Sequence, residues 1–273
     1  GNDPKAIRDW AQAAEDLGYE YIEVPDHVFG ATGRNGWTPR YDAFAPFHET
    51  FTTMAFLAAT TKSIKLSSGV LILPQRQTGL VAKQAAEVDV LSEGRLRLGI
   101  GVGWNHVEYE ALNCEWKSRG LKQREQIEVL RQLWTKKLAT YKGRFHDFEE
   151  VTIVPSPIQY TIPIWLGGSA DAVIKRAAEL GDGWMPILPP DDGANIALEK
   201  LYGHLDNFGR KREDFGIEAW LRFHEDNPNA WAEAADGWRS LGADMAMLYP
   251  MWQVNGVDGQ IEILRRFKDV AGG

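Results

Sequence analysis

One pattern recurs three times along this chain: an alanine-rich helical segment, a Leu-Gly pair and a short apolar run. It occurs in AAEDLGYEYIEV, AAELGDGWMPI and WRSLGADMAML. Glycine commonly follows the last turn of a helix, and apolar runs without alternation are typical of strands buried on both faces. The repeated unit therefore predicts an α/β architecture in which helices alternate with the strands of a parallel sheet.

Further apolar runs extend this alternation over the whole chain. They occur in IKLSSGVLIL, LRLGIGVG, IPIWLGG and IEAWLRF, which brings the strand candidates to seven. A (β/α)8 barrel needs eight strands in about 250 residues. We therefore expect one TIM-barrel domain over residues 1–273, with an insertion after strand 4 and with the first strand, which would precede Asp3, absent. A doubly wound open sheet is the structural alternative.

Helix signals fit the same alternation, since polar caps precede apolar stripes at three-four spacing and glycine follows several of them. The predicted helices open at Asp3-Pro4, cover 80–91, 119–137 and 228–241, and follow the caps Ser169 and Asp258.

Composition excludes several classes of protein. The 273 residues carry a formal net charge of −8 and show no basic stripe, which argues against nucleic acid as a partner. No run reaches the roughly 18 apolar residues of a membrane span, and no signal peptide is evident, so a cytoplasmic location is expected. The single cysteine and the lack of ligand spacing predict no metal site.

Three long connections follow predicted strands. They cover 29–50, 103–163, which contains a hairpin-like insertion, and 186–195. Long connections are commonly lids or binding loops, and in a barrel these would lie on the carboxyl-terminal face, where active sites are found.

The glycines in GIGVGWN test for a dinucleotide-binding loop. Gly99, Gly101 and Gly103 give G-x-G-x-G, and Trp104 occupies the place of the third fingerprint glycine. No acidic residue on a second strand follows, so the Rossmann interpretation fails. For Gly101 and Gly103 we expect close backbone approach to a flat ligand, with simple strand packing as the alternative.

Two other glycine-containing segments are site candidates. In LSSGVLIL, Gly69 interrupts an apolar strand and predicts a bulge or a close approach, with simple packing as the alternative. In WLGGSADAV, Gly167 and Gly168 free the backbone and Ser169 is placed to cap a helix, which together would make a phosphate seat. An ordinary capped turn is the alternative there.

Asp26 and His27 end the first visible strand, in EVPDHVFG, and are expected to point into the mouth of the site. His27 could donate a proton or hold an anion near neutral pH, although a lone histidine is often structural. Trp37 and Trp104, with Trp165 and Trp184, lie in the first long connection or at strand ends, where aromatic walls suit a flat apolar ligand.

Several motifs, in order, resemble the bacterial luciferase-like oxidoreductases, in particular the F420-dependent branch. They are EVPDHVF, the segment from SSGVLILPQR to GIGVGWNHVEYEAL, YKGRFHDFEEVTIVPSPIQ and PIWLGGSADAVIKRAAELGDGWMPI. The resemblance runs from about Asp3 to Val270. It implies a TIM barrel that holds a flavin or deazaflavin at its carboxyl-terminal mouth.

The resemblance also implies roles for particular residues. It implies a non-prolyl cis peptide behind the ring at Gly69-Val70, and it places His27 near the reactive ring. The residues that it implies for lining the ring are Gly101, Val102, Gly103 and Asn105. Those that it implies for holding the cofactor phosphate are Gly167, Gly168 and Ser169. There is one departure, because Trp104 stands where the related sugar-phosphate dehydrogenases carry a catalytic Glu, which puts that activity in doubt.

These observations predict an oxidoreductase that uses coenzyme F420 for hydride transfer to or from a small organic substrate, acting as a homodimer. A reduced-FMN-dependent monooxygenase is the first alternative, and a non-catalytic flavin-binding relative is the second. A cofactor-free lyase or hydrolase would need a lysine base or a carboxylate cluster at strand ends. Only Asp26 and the pair Glu108 and Glu110 are available, and we expect that pair on a solvated helix.

Overall fold

The computed structural model describes residues 3–222, 227, 229–249 and 256–271. Its helices are α1 (Pro4–Asp16), α2 (Thr50–Thr60), α3 (Thr78–Leu91), α4 (His106–Ala111), α5 (Arg119–Thr135), α6 (Asp171–Leu180), α7 (Asp192–Asn207), α8 (Asn229–Ser240) and α9 (Val257–Ala271). Its strands are β1 (Tyr21–Val24), β2 (Lys65–Ser68), β3 (Leu71–Ile72), β4 (Leu96–Gly101), β5 (Ala139–Lys142), β6 (Asp147–Val151), β7 (Ile164–Gly167), β8 (Gly183–Met185), β9 (Gly216–Arg222) and β10 (Met245–Tyr249).

All seven predicted strand segments form strands, and the predicted helices form at the expected places. Phe223, Pro228 and Pro250, at the ends of predicted segments, lie outside the described residues. Two helices were not predicted, α2 and α7. The threonine-rich sequence of α2 has a weak intrinsic helix propensity, and its buried side chains do not form a narrow stripe.

The chain divides into two compact units, one of residues 23–164 and one that combines the segment up to residue 22 with residues 165–273. In the first unit β2 lies between β1 and β4 and pairs with β4 in parallel, with Leu66 opposite Leu96. The short β3 continues along β4 with Leu71 opposite Ile100. Helices α3 and α5 pack together, and the Trp134 Nε1 donates to the Ala82 carbonyl at 3.0 Å.

Three strands of this unit share a buried ion pair. Arg97 on β4 donates to Glu23 on β1 at 2.8 Å and, through Nε, to Ser67 Oγ on β2 at 3.2 Å. The guanidinium is 2% exposed. Such a pair contributes little net stability relative to apolar packing, but removing one partner is costly.

The predicted insertion is an antiparallel hairpin, β5–β6, and a carboxylate on α5 holds its turn. Glu125 accepts backbone N–H bonds from Arg144, Phe145 and His146 at 2.9, 2.8 and 2.8 Å. The His146 Nδ1 lies 2.8 Å from the same carboxylate, and its Nε2 lies 2.5 Å from Thr78 Oγ1 on α3. Burial raises the pKa of Glu125, but these hydrogen bonds outweigh it and lower that pKa below its ordinary value.

In the second unit β7, β8, β9 and β10 are consecutive neighbours, and the pairs β7–β8, β8–β9 and β9–β10 are parallel. The ring of Trp165 lies against Gly183 and Gly216, where an added Cβ would come within 2.3 and 2.2 Å of ring atoms. Trp184 is fully buried, and its Nε1 donates to the Gly168 carbonyl at 2.7 Å. The expectation that Trp165 and Trp184 form a ligand wall is therefore wrong, because both rings fill the core.

No helix in the described ranges is long and apolar enough to cross a membrane.

Candidate functional site

His27 lies directly beyond the carboxyl end of β1 and is enclosed by aromatic rings. Its ring centroid is 4.7 Å from that of Phe47, 5.6 Å from that of Trp104 and 5.7 Å from that of Tyr41, all in edge-to-face geometry. The side chain is 11% exposed. An imidazole in this setting is shielded from bulk water, although one edge still reaches solvent.

A carboxylate from α4 holds one nitrogen of this imidazole. Glu108 Oε2 lies 3.0 Å from His27 Nδ1, and Glu108 Oε1 accepts backbone N–H bonds from Val28 at 2.5 Å and from Phe29 at 3.0 Å. The Glu108 side chain is 1% exposed. Burial raises the pKa of this carboxyl, but the bonds from His27 and the two N–H groups lower it below its ordinary value.

The expectation that Glu108 lies on a solvated helix face is wrong, whereas Glu110 is exposed as expected. Asn105 accepts from the Glu108 N–H at 3.2 Å and caps α4, four residues after Gly101, the last residue of β4. Because α4 begins at His106, its third residue, Glu108, faces the strand ends. No local signal could have found Glu108, because the Asn-x-x-Glu spacing predicts a carboxylate that turns back to the N–H of the cap residue and not one that contacts a distant histidine.

Asp26 does not face the site in the way that the sequence suggested. Its two oxygens accept from Arg76 Nη2 at 2.7 Å and from the Ile72 N–H at 2.8 Å, and Thr50 Oγ1 lies 3.3 Å away. The carboxylate is 2% exposed. It therefore ties the end of β1 to the segment after β3 and to the start of α2, and its predicted catalytic role stays a prediction.

Residues 29–49, here called the lid segment, connect β1 to α2 and pack aromatic rings over the strand ends. A small bridge joins Arg34 to Trp37, and the Trp37 ring stacks on Trp104 with centroids 5.9 Å apart. The Arg40 guanidinium carbon lies 5.5 Å from the centre of the Trp104 ring. The structure thus brings Trp37 and Trp104, the predicted substrate-pocket residues, together beside His27.

The strand that carries Gly69 is interrupted between β2 and β3, and the predicted non-prolyl cis peptide at Gly69-Val70 is confirmed. The neighbouring glycines have packing reasons of their own. A Cβ on Gly101 would lie 2.6 Å from Val70 Cγ2, and one on Gly103, whose φ is +69°, would lie 2.9 Å from Ile72 Cγ2. Each missing Cβ would therefore meet a protein side chain, which explains both glycines by packing, and their predicted contacts with a flat ligand stay predictions.

Two other predicted ring contacts already have partners in the protein. The Val102 carbonyl accepts from Tyr109 Oη at 2.8 Å, and the Asn105 side-chain oxygen caps α4. Burial raises the pKa of the Tyr109 hydroxyl, which keeps it a donor at neutral pH. Their predicted contacts with a cofactor stay predictions.

In the other unit, the turn after β7 contains Gly167, Gly168 and Ser169, whose predicted contact with a cofactor phosphate stays a prediction. Gly168 adopts a φ of +122°, which side-chain-bearing residues rarely adopt, and its N–H donates to the Met185 carbonyl at 3.1 Å. Ala170, rather than Ser169, is the N-cap of α6, so the predicted cap is wrong. Ser169 Oγ instead accepts from the Ile187 N–H at 3.2 Å.

Comparisons with known proteins agree with this architecture. Residues 1–266 match the family model described as luciferase-like monooxygenase. An uncharacterized protein of Mycobacterium tuberculosis is 37% identical over 221 residues, which cover 78% of this chain and 74% of that protein. The F420-dependent glucose-6-phosphate dehydrogenase of Amycolatopsis mediterranei is 29% identical over 202 residues, 72% of this chain and 57% of that protein.

A solved structure supports the fold. The monooxygenase RslO1 from Streptomyces bottropensis aligns with a TM-score of 0.78 at 19% identity, covering 98% of this chain and 92% of that one. This likeness confirms the predicted luciferase-like TIM-barrel fold class.

Proposed function

The chain belongs to the luciferase-like monooxygenase family, and on that premise we propose that it uses bound coenzyme F420 for hydride transfer to or from a small organic substrate. The family and its relatives are oxidoreductases or monooxygenases, so the chain is an enzyme of this broad class. The deazaflavin is proposed because the resemblance points to the F420-dependent branch and a similar relative is named as F420-dependent.

The observation that carries the proposal is the enclosure of His27 at the carboxyl end of β1. Phe47, Tyr41 and Trp104 surround the imidazole, and Glu108 holds one of its nitrogens. When bound, a deazaflavin supplies two-electron hydride transfer. A hydride delivered to a carbonyl carbon must be matched by a proton on the oxygen, and an imidazole beside the reacting carbon can give or take that proton.

Two groups of residues are proposed to hold the cofactor. The phosphate would be held by the turn formed by Gly167, Gly168 and Ser169. Gly168 allows the turn a positive φ, and neither the Ser169 nor the Ala170 N–H has a backbone acceptor among the described residues, so both N–H groups are available to an anion. The fit supports the assignment, since the backbone donors and the dipole at the start of the 10-residue α6 favour an anion. The residues proposed to line the ring are Gly69, Val70, Gly101, Val102, Gly103 and Asn105.

The substrate would meet an apolar wall. Trp104 lies beside His27, and Trp37 from the lid segment stacks on Trp104. Trp104 stands where related sugar-phosphate dehydrogenases carry a glutamate, so we expect no dehydrogenation of a sugar phosphate. The packed rings exclude water, which strengthens polar interactions inside the site and protects a transferred hydride from side reactions.

A titration tests the cofactor. The purified protein is titrated with F420 and, separately, with FMN while fluorescence is recorded. We expect saturable binding of F420 at micromolar concentration and much weaker binding of FMN. Binding of FMN alone would favour the alternative, a reduced-FMN-dependent monooxygenase. This alternative is supported by the description of the family as luciferase-like monooxygenase. Binding of neither would refute both and leave a degenerate relative.

A second test addresses His27. With a substrate identified by screening alcohols and carbonyl compounds with F420, His27→Ala is expected to lower turnover by about 10²–10⁴-fold, the range for general acid–base groups. Affinity for F420, measured by the same titration, is the control for folding. Full turnover in His27→Ala would remove this residue from the mechanism.

We also propose that the protein is a homodimer. A measurement of its molecular mass in solution tests this proposal.

A further inference from the structure

The carboxylate of Glu108 makes three hydrogen bonds, and all of them go to one short stretch of the chain. Its Oε1 accepts from the Val28 and Phe29 N–H groups, and its Oε2 faces His27 Nδ1 at 3.0 Å. The stretch lies about 80 residues away in sequence. The carboxylate therefore both anchors the start of the lid segment and touches the imidazole.

We infer that Glu108 is a positioning residue: it keeps a proton on His27 Nδ1, so that Nε2 is the atom through which His27 exchanges a proton. The tautomer of His27 does not depend on the proposed function; only the use of this proton in hydride transfer rests on it.

Hydrogen-bond chemistry leads to this assignment. An ionised carboxylate only accepts hydrogen bonds, so the short contact with Oε2 requires Nδ1 to be the donor. In neutral imidazole the proton then lies on Nδ1 and the lone pair on Nε2. Burial favours the neutral form of Glu108, but the hydrogen bonds from His27 and from the two backbone N–H groups outweigh it, so the pKa of Glu108 lies below its ordinary value and the carboxyl is ionised.

The described residues around the imidazole hold it in place and engage the neighbouring charges elsewhere. Phe47, Tyr41 and Trp104 fix the plane of the imidazole by edge-to-face contacts. The adjacent Asp26 is engaged by Arg76, and the Arg40 guanidinium lies over the Trp104 ring. Among the described residues, Glu108 is therefore the one ionised group in hydrogen-bond contact with His27.

The substitution Glu108→Gln separates positioning from anchoring. A glutamine oxygen can still accept from the Val28 and Phe29 N–H groups, which preserves the anchor. Its amide NH2 would then face His27 Nδ1 and can only donate there, so the neutral imidazole would have to carry its proton on Nε2 instead. Glu110, exposed on the same helix, offers the matched control Glu110→Gln.

The test is a long-range 1H–15N correlation spectrum of the full-length chain at about pH 8.5, roughly two units above the ordinary imidazole pKa. The chain has 6 histidines, and the His27 signals are identified by their loss in His27→Gln. We expect the Nδ1–H tautomer in the wild type and in Glu110→Gln, and the Nε2–H tautomer in Glu108→Gln. Thermal unfolding of each variant is recorded alongside.

Two results would overturn the inference: an Nε2–H tautomer in the wild type, or an unchanged Nδ1–H tautomer in folded Glu108→Gln. The wild-type spectrum decides even where the variant fails to fold. These spectra need no cofactor. Failure of F420 to bind would therefore refute the proposed function without altering the tautomer, and a wrong tautomer would leave the cofactor titration unchanged.

Discussion

Gly101→Ala is expected to destabilise the protein, because the space that a methyl group needs is already filled. An ideal Cβ at this position would lie 2.6 Å from Val70 Cγ2, well inside van der Waals contact. Val70 is β-branched and cannot swing away without leaving its rotamer. Overpacking of this kind costs about 1–3 kcal/mol, and replacing a strand glycine by alanine returns about 0.5–1 kcal/mol, so we expect a net loss of about 1 kcal/mol, with an upper bound of about 2.5 kcal/mol.

Urea unfolding followed by tryptophan fluorescence measures this loss. Val70→Ala removes the clashing methyl groups, so the double variant Gly101→Ala/Val70→Ala is expected to be no less stable than Val70→Ala alone. The resulting coupling should reach about 1 kcal/mol, within the range for residues in contact. Gly203→Ala is the control for the substitution itself, because Gly203 is exposed in α7 with open space around it and should gain up to about 1 kcal/mol.

Additive losses in the double variant would refute the steric reasoning. If Gly101→Ala unfolds at the same urea concentration as the wild type and loses only its affinity for F420, that result would instead support the interpretation made from the sequence. In that interpretation Gly101 has no side chain so that a flat ligand can approach it.

Two further predictions concern carboxylates. Asp26→Asn breaks a buried ion pair with Arg76 and should lower the free energy of unfolding in urea by about 3 kcal/mol. This is the lower end for such pairs, because the guanidinium keeps Glu49 as a partner. A variant as stable as the wild type would contradict the structural role of Asp26. Because the pKa of Glu125 is lowered in the folded state, its ionised carboxylate stabilises the fold above the ordinary pKa of 4.5, and this stabilisation is lost as pH falls through the folded pKa. Between about pH 5 and pH 3 the melting temperature of Glu125→Gln should therefore fall less than that of the wild type. Equal losses would refute this prediction.

Local patterns identified the elements of the fold well. Runs such as LRLGIG are continuous and apolar because a parallel strand is buried on both faces, and that requirement is visible in sequence. The capping signal at Asp3-Pro4 was equally local, since Asp3 accepts from the Lys5 N–H. The helix α2 escaped prediction because its burial, rather than a stripe or a strong propensity, stabilises it.

The partners of the site residues could not be predicted in this way. Asp26 and His27 are adjacent in the sequence, yet Asp26 pairs with Arg76, which follows β3, and His27 pairs with Glu108 on α4. Nothing local distinguishes the buried Glu108 from the exposed Glu110 two residues later. The orientation of α4 at the end of β4 decides which of the two faces the strand ends.

The sequence by itself determined the order of helices and strands, the failure of the dinucleotide fingerprint at Trp104 and, through resemblance, the position of the cis peptide at Gly69-Val70. Each depends on residues close together in the chain or on a motif read in order. Only the tertiary structure decided why Gly101 has no side chain and which carboxylate holds His27. Those contacts join residues that are distant in the sequence, and they arise from the packing of neighbouring elements, which local patterns do not specify.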